Sequence, residues 1–134
     1  MSIVASHLAD RYQFGRPLGS GGAADVLSAQ DTLLGRPVAI KVLHQRLGRD
    51  SALVGRFERA EREAARLSHP NAATVYDVGA HGRTHYVVTE LVDGRTLAEL
   101  LGRVGALPPD DAVRLAVQVA AARVRARPSS AAVW

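Results

Sequence analysis

The feature that most limits what this chain can become is a change of hydrophobic period partway along it. Three segments, "YQFGRPLG" from residue 12, "ADVLSAQD" from 24 and "PVAIKVLH" from 37, follow one another with glycine-bearing connections, "GSGG" and "TLLGR". Short runs punctuated in this way read as three successive antiparallel strands. In "GRDSALVGRFERAEREAARLSHPN" the period changes: Leu53, Phe57, Ala60, Ala64 and Leu67 recur at spacings of four, three, four and three. That spacing gives one amphipathic helix, with Asp50 or Ser51 as N-cap and Pro70 as its stop. Two more strands follow, "AATVYDVGA" and "THYVVTELV", joined by "HGR", whose length and glycine suit a hairpin. Then come a short helix, "RTLAELLGR", a proline-rich loop, "GALPPDD", and a longer helix, "DDAVRLAVQVAAARV", opened by two acidic residues. Strands with one embedded helix predict an α+β fold on a five-stranded, mainly antiparallel sheet, not an alternating parallel α/β fold.

Length, charge and residue types remove several function classes. A chain of 134 residues suits one domain, and with no cysteine it has neither a disulfide framework nor a thiolate site. No apolar run approaches the ~20 residues needed to cross a bilayer. The start, "MSIVASHLAD", has no basic region ahead of an apolar one, so export is not expected and a cytoplasmic location is the default. The net charge of +4 raises nucleic acid as a partner, but the arginines are scattered. Only Arg123, Arg125 and Arg127 group together, without interleaved aromatics, so no nucleic-acid binding is expected. His81 and His85 are four apart across a hairpin tip rather than along a helix, which is not a metal-ligand pattern. Asp77, Asp93, Asp110 and Asp111 are assigned to turns and a helix start, where aspartate commonly serves the backbone.

What remains is a glycine-rich turn and a solitary ammonium. Within "LGSGGAADV", Gly19, Ser20, Gly21 and Gly22 lie between two strands, where glycines let a backbone come close to a phosphate and offer it N–H groups. Fifteen residues after Val26 stands Lys41, the sole lysine beside sixteen arginines. A compact point charge on a flexible stem does there what a planar guanidinium would do badly.

In this order, "LGSGGAADV", "VAIK", a helix, "HPN" and "YVVTELVDG" resemble the amino-terminal lobe of a serine/threonine protein kinase of the eukaryotic-like bacterial type, over residues 11–120 or so. The resemblance implies a kinase-like N-lobe at 11–92 behind a tail at 1–10. It further implies a hinge and the first helices of an incomplete C-lobe at 93–122, then a non-family tail at 123–134. It implies ATP as ligand. The glycine turn would cover its phosphates, Lys41 would hold the α- and β-phosphates, Leu18, Val26 and Ala39 would sandwich the adenine, Thr89 would be the gatekeeper, and the backbone of Glu90 and Val92 would bond the base edge.

The chain departs from the family pattern in three ways. The third loop glycine is Ala24, a change that bears on flexibility more than on phosphate contact. The helix position of the lysine-pairing glutamate, nine residues before His69, is Ala60. Its neighbour Glu61 lies ~100° around the helix, so either a one-residue shift brings Glu61 to Lys41 or the pair is absent. Glu58 and Glu63 are expected to be solvated, among Arg59, Arg62 and Arg66. Finally, neither H-R-D-x-x-x-x-N nor D-F-G occurs in the sequence, so catalytic and magnesium-holding residues are expected to be missing and the chain to be inactive by itself. Such a truncated chain would be a nucleotide-binding fragment. The alternative is a non-catalytic, pseudokinase-like module that docks on another kinase through the exposed face of the long central helix and a last helix whose apolar residues cover most of its circumference.

Overall fold

The computed structural model describes residues 7–125, with side chains through Arg123. Its elements, in chain order, are β1 (His7–Leu8), β2 (Tyr12–Ser20), β3 (Ala24–Asp31), β4 (Arg36–Leu43), α1 (Ser51–Ala65), β5 (Val75–His81), β6 (Thr84–Glu90), α2 (Leu97–Val104) and α3 (Pro109–Arg125). All strands join one antiparallel sheet in the order β1-β2-β3-β4-β6-β5. The sixth strand is the two-residue β1, too short to leave a pattern in sequence. Because β1 pairs only with Tyr12 and Gln13, the rest of β2 is a sheet edge. There Pro17 is tolerated and the register with β3 shifts on either side of it.

Alternation along the strands divides the sheet into two faces. Tyr12, Ala29, Val38, Ile40, Tyr86 and Val88 build the main core with Leu8. Tyr12 and Tyr86 meet edge to face, with ring centroids 6.1 Å apart. Tyr12 also donates to Asp77 Oδ2 at 3.4 Å, and burial together with that carboxylate pushes its phenol up to about 12. Asp77 therefore stands within β5, at a register shift, and not on a turn. Asp31 organises the β3–β4 turn. It takes both Nε and Nη2 of Arg11, at 2.9 and 2.8 Å, and the backbone N–H groups of Leu33 and Leu34. The Arg11 bonds hold its carboxyl down at about 2 against the opposing effect of burial.

Helix ends follow their caps. Asp50 accepts from Ala52 and Leu53 N–H to open α1, and Thr96 with Glu99 forms a reciprocal capping box on α2. Asp110 and Asp111 lie in the first turn of α3, as their sequence position implies. The apolar surface of α3 is left open, with Val113 and Val117 each 61% exposed. No helix among the described residues is long and apolar enough to cross a membrane. Most of the 123–134 tail and residues 1–6 lie outside the described residues.

Candidate functional site

The face opposite the main core carries the chemistry. In the β3–β4 register Val26 stands beside Lys41, and in the β2–β3 register Val26 stands beside Gly19. Gly19, Val26 and Lys41 therefore form one cross-strand row, which β6 continues with Val87. Two residues along β4, Ala39 points to the same face and is paired with Thr89. The sheet thus brings together Gly19, Val26, Ala39, Lys41 and Thr89, with Leu18 half-buried in the irregular stretch of β2 beside them.

Helix α1 covers part of this face. Lys41 Nζ lies 3.0 Å from Glu61 Oε1 and 5.4 Å from the centroid of the Phe57 ring. Glu61 is 2% exposed, the most deeply buried residue of the helix, while Leu53 from the predicted stripe is 36% exposed. The helix has accordingly turned to present Glu61, and the choice left open by the sequence falls to the shifted pair. Burial pulls the Lys41 ammonium below its ordinary value, and the Glu61 carboxylate opposes that pull. Glu58 is not simply solvated. It reaches His85 Nδ1 at 3.2 Å and Arg62 at 3.6 Å, tying α1 to β6.

The glycine turn is open in a way that the fold itself does not demand. A side chain at Gly19 or Gly22 would meet nothing within 4 Å, and one at Gly21 would meet only Ala24 O at 3.6 Å. None of the three adopts a positive φ, unlike Gly35 and Gly82 at their turns. Neither packing nor backbone conformation requires glycine here. What glycine supplies is open space at the end of the row that holds Val26, Lys41 and Val87.

At the other end of the face the expected contacts divide. Thr89 lies opposite Ala39, and its hydroxyl donates to Glu90 O at 3.2 Å. The N–H of Glu90 is engaged with Thr74 O at 2.9 Å, and its carboxylate accepts from Thr74 N–H at 2.8 Å. Both backbone groups of Glu90 thus have a partner within the fold, the carbonyl keeping its second lone pair. Val92 lies beyond β6 and is 63% exposed.

Asp25, His44 and Arg46 have no part in the expected site. Asp25 Oδ1 accepts from the Ser20 hydroxyl at 2.5 Å and lies 3.2 Å from His44 Nε2. The Ser20 bond, more than His44, lowers the Asp25 carboxyl below its ordinary value, against the effect of burial. Arg46 Nη2 donates to Gly22 O at 2.9 Å. No local pattern marks these residues, because strand pairing alone brings residue 44 to residue 25.

The chain resembles known proteins in both sequence and fold. A family model described as protein kinase domain matches residues 12–123. The chain is 37% identical over 120 residues to serine/threonine-protein kinase PrkC of Bacillus subtilis, covering 90% of this chain and 18% of that one. It is 42% identical over 113 residues to serine/threonine-protein kinase PknB of Mycobacterium leprae, covering 81% and 18%. Among solved structures, the PknI kinase domain of Mycobacterium tuberculosis superposes with a TM-score of 0.75 at 27% identity, over 91% of this chain and 51% of that one. The chain thus spans less than a fifth of these curated relatives and about half of the solved domain.

Proposed function

The chain belongs to the protein kinase domain family, and from that premise we propose that its sheet face binds ATP, as the nucleotide-binding part of a serine/threonine kinase. The observation that carries the reading is the buried Lys41–Glu61 pair in the same cross-strand row as Gly19. The adenine would lie against Leu18, Val26 and Ala39 beside Thr89, with the Glu90 carbonyl and the backbone at Val92 at its edge. The phosphates would lie between Lys41 and the turn of Gly19, Ser20, Gly21 and Gly22. Lys41 neutralises phosphate charge, and Glu61 keeps it protonated and aimed.

Magnesium, when bound, would offset charge between the phosphates, but its family ligands and the residue that orients the substrate hydroxyl belong to motifs that these 134 residues do not contain. Residues 1–134 alone therefore bind nucleotide without transferring its phosphoryl group. Titration calorimetry with ATP and magnesium tests this reading. Lys41→Met should weaken ATP by about ten- to a hundredfold, the value of a charge-assisted contact. Equal affinity for wild type and variant sinks it, and radiolabel transfer to any protein by this chain sinks the inactive part. The exposed Val113, Val117 and Val119 on α3 favour a second reading, a module that docks on another kinase. A nucleotide-blind oligomer in light scattering would support that one instead.

A further inference from the structure

We propose that Asp25, His44 and Arg46 form a brace that fixes the glycine turn in one position over the phosphate site, making His44 and Arg46 positioning residues for the nucleotide. This rests on the ATP reading and goes beyond it, because none of the three residues lies in the sheet row that meets the ligand.

A turn written Gly-Ser-Gly-Gly is poorly ordered by its own residues, since glycine loses more backbone freedom on ordering than any other residue. A mobile turn would have to be ordered when phosphate binds, and that cost would weaken the complex. Here the segment directly after β4 anchors it at three points. His44 N–H donates to Ala23 O at 2.8 Å, Arg46 Nη2 donates to Gly22 O at 2.9 Å, and His44 Nε2 meets Asp25 Oδ1 at 3.2 Å. Asp25 is itself 8% exposed and holds Ser20 on the far strand through the same oxygen, so both limbs of the turn are tied to one buried carboxylate. The turn closes on itself through Gly21 N–H to Ala24 O at 2.9 Å.

The bracing segment is itself tied to its surroundings. Leu47 and Gly48 N–H return to His44 O, and a Cβ on Gly48 would lie 3.1 Å from Arg83 O, so the segment packs closely on the β5–β6 hairpin. It runs from the strand that carries Lys41 to Asp50, the cap of the helix that carries Glu61. The roof, the lysine and the carboxylate therefore share one support.

The brace acts on phosphates and not on the base, and this separates it from general damage to the fold. The test compares ATP with adenosine by titration, alongside amide hydrogen exchange at Gly21, in the wild-type chain, His44→Ala and Arg46→Ala, with His44→Gln and Arg46→Lys as variants that restore a donor. Each alanine variant should exchange faster at Gly21 and lose roughly tenfold in ATP affinity, the value of one hydrogen bond to a strongly polar partner. Adenosine affinity should stay within twofold of wild type, and the donor-restoring variants should recover most of the loss. If the wild-type chain favours ATP over adenosine and the alanine variants keep that ratio, the brace is refuted and the ATP reading survives. Equal losses for ATP and adenosine also refute it, as plain structural damage. A wild-type chain that binds neither overturns the ATP reading, and the brace with it.

Discussion

Replacing Glu61 with glutamine keeps the volume of the buried side chain and removes its charge. Lys41 Nζ and Glu61 Oε1 are 3.0 Å apart, and the two side chains are 18% and 2% exposed. At an effective permittivity of about 20, the attraction at that separation is about 5.5 kcal/mol. Much of this is offset by the desolvation of both ions. Glu61 Oε2 is also buried without a hydrogen-bond partner among the described residues, which offsets more. The intact pair is therefore worth little net stability, and the loss in the variant comes from removing the carboxylate that faces a partly buried ammonium. Removing one partner of a buried ion pair costs about 3–5 kcal/mol.

Lys41 has one escape, which sets a ceiling. It can release its proton, and for an ordinary lysine near pH 7 that costs about 5 kcal/mol. We expect Glu61→Gln to lose about 3 kcal/mol near pH 7, within those bounds. Its pH dependence has a definite sign. Burial already holds Lys41 below 10.5, and removing Glu61 removes the carboxylate that opposes that fall. Between the folded value and 10.5 the unfolded chain holds a proton that the folded chain lacks, so stability from this group rises with pH there. The window is wider in the variant, so its deficit shrinks as the solution becomes alkaline. Urea unfolding of wild type, Glu61→Gln and the control Ala60→Gln at about pH 7 and about pH 9.5 measures both effects. A Glu61→Gln variant within about 0.5 kcal/mol of wild type near neutrality, the range of an ordinary surface change, would refute the reasoning. So would a deficit that grows with pH.

Two further outcomes follow from the other face of the sheet. The Asp31 carboxyl, held at about 2 chiefly by Arg11, stabilises the fold above its ordinary 3.8, and that stability is lost as pH falls from 3.8 through about 2. Asp31→Asn should flatten the melting temperature against pH over that interval, and an unchanged slope would contradict the assignment. At Gly79 an added Cβ would lie 2.8 Å from the hydroxyl and 2.9 Å from Cζ of Tyr86, a ring packed in the core, so Gly79→Ala should cost about 1–3 kcal/mol in chemical denaturation.

The strands and α1 were legible because period and punctuation are local properties. Asp50 as N-cap, the β5–β6 hairpin and the acidic opening of α3 all follow from neighbours in sequence. The orientation of α1 was not legible in the same way. Apolar spacing put Leu53 on the inner face and Glu61 on the flank, but a buried cation on β4 requires a carboxylate, and that requirement decided the rotation. His85 with Glu58, and Ser20 with Asp25 and His44, were hidden for a related reason. Each pairing joins elements that meet only once the sheet has formed. Val26, Ala39 and Thr89 lie on one face of the sheet, while the Glu90 N–H is engaged by Thr74, a contact set by a loop with no pattern of its own.

The placement of Glu61 bears on how chains of this kind are sorted. A column-by-column alignment would score position 60 as a lost carboxylate and set the chain among degenerate members on that ground alone. A helix is a rod that can roll on the surface beneath it, and a fraction of a turn returns the missing group to its counter-ion. Inventories of defective family members that count letters at fixed columns will therefore include molecules whose ion pair is intact but written one letter late.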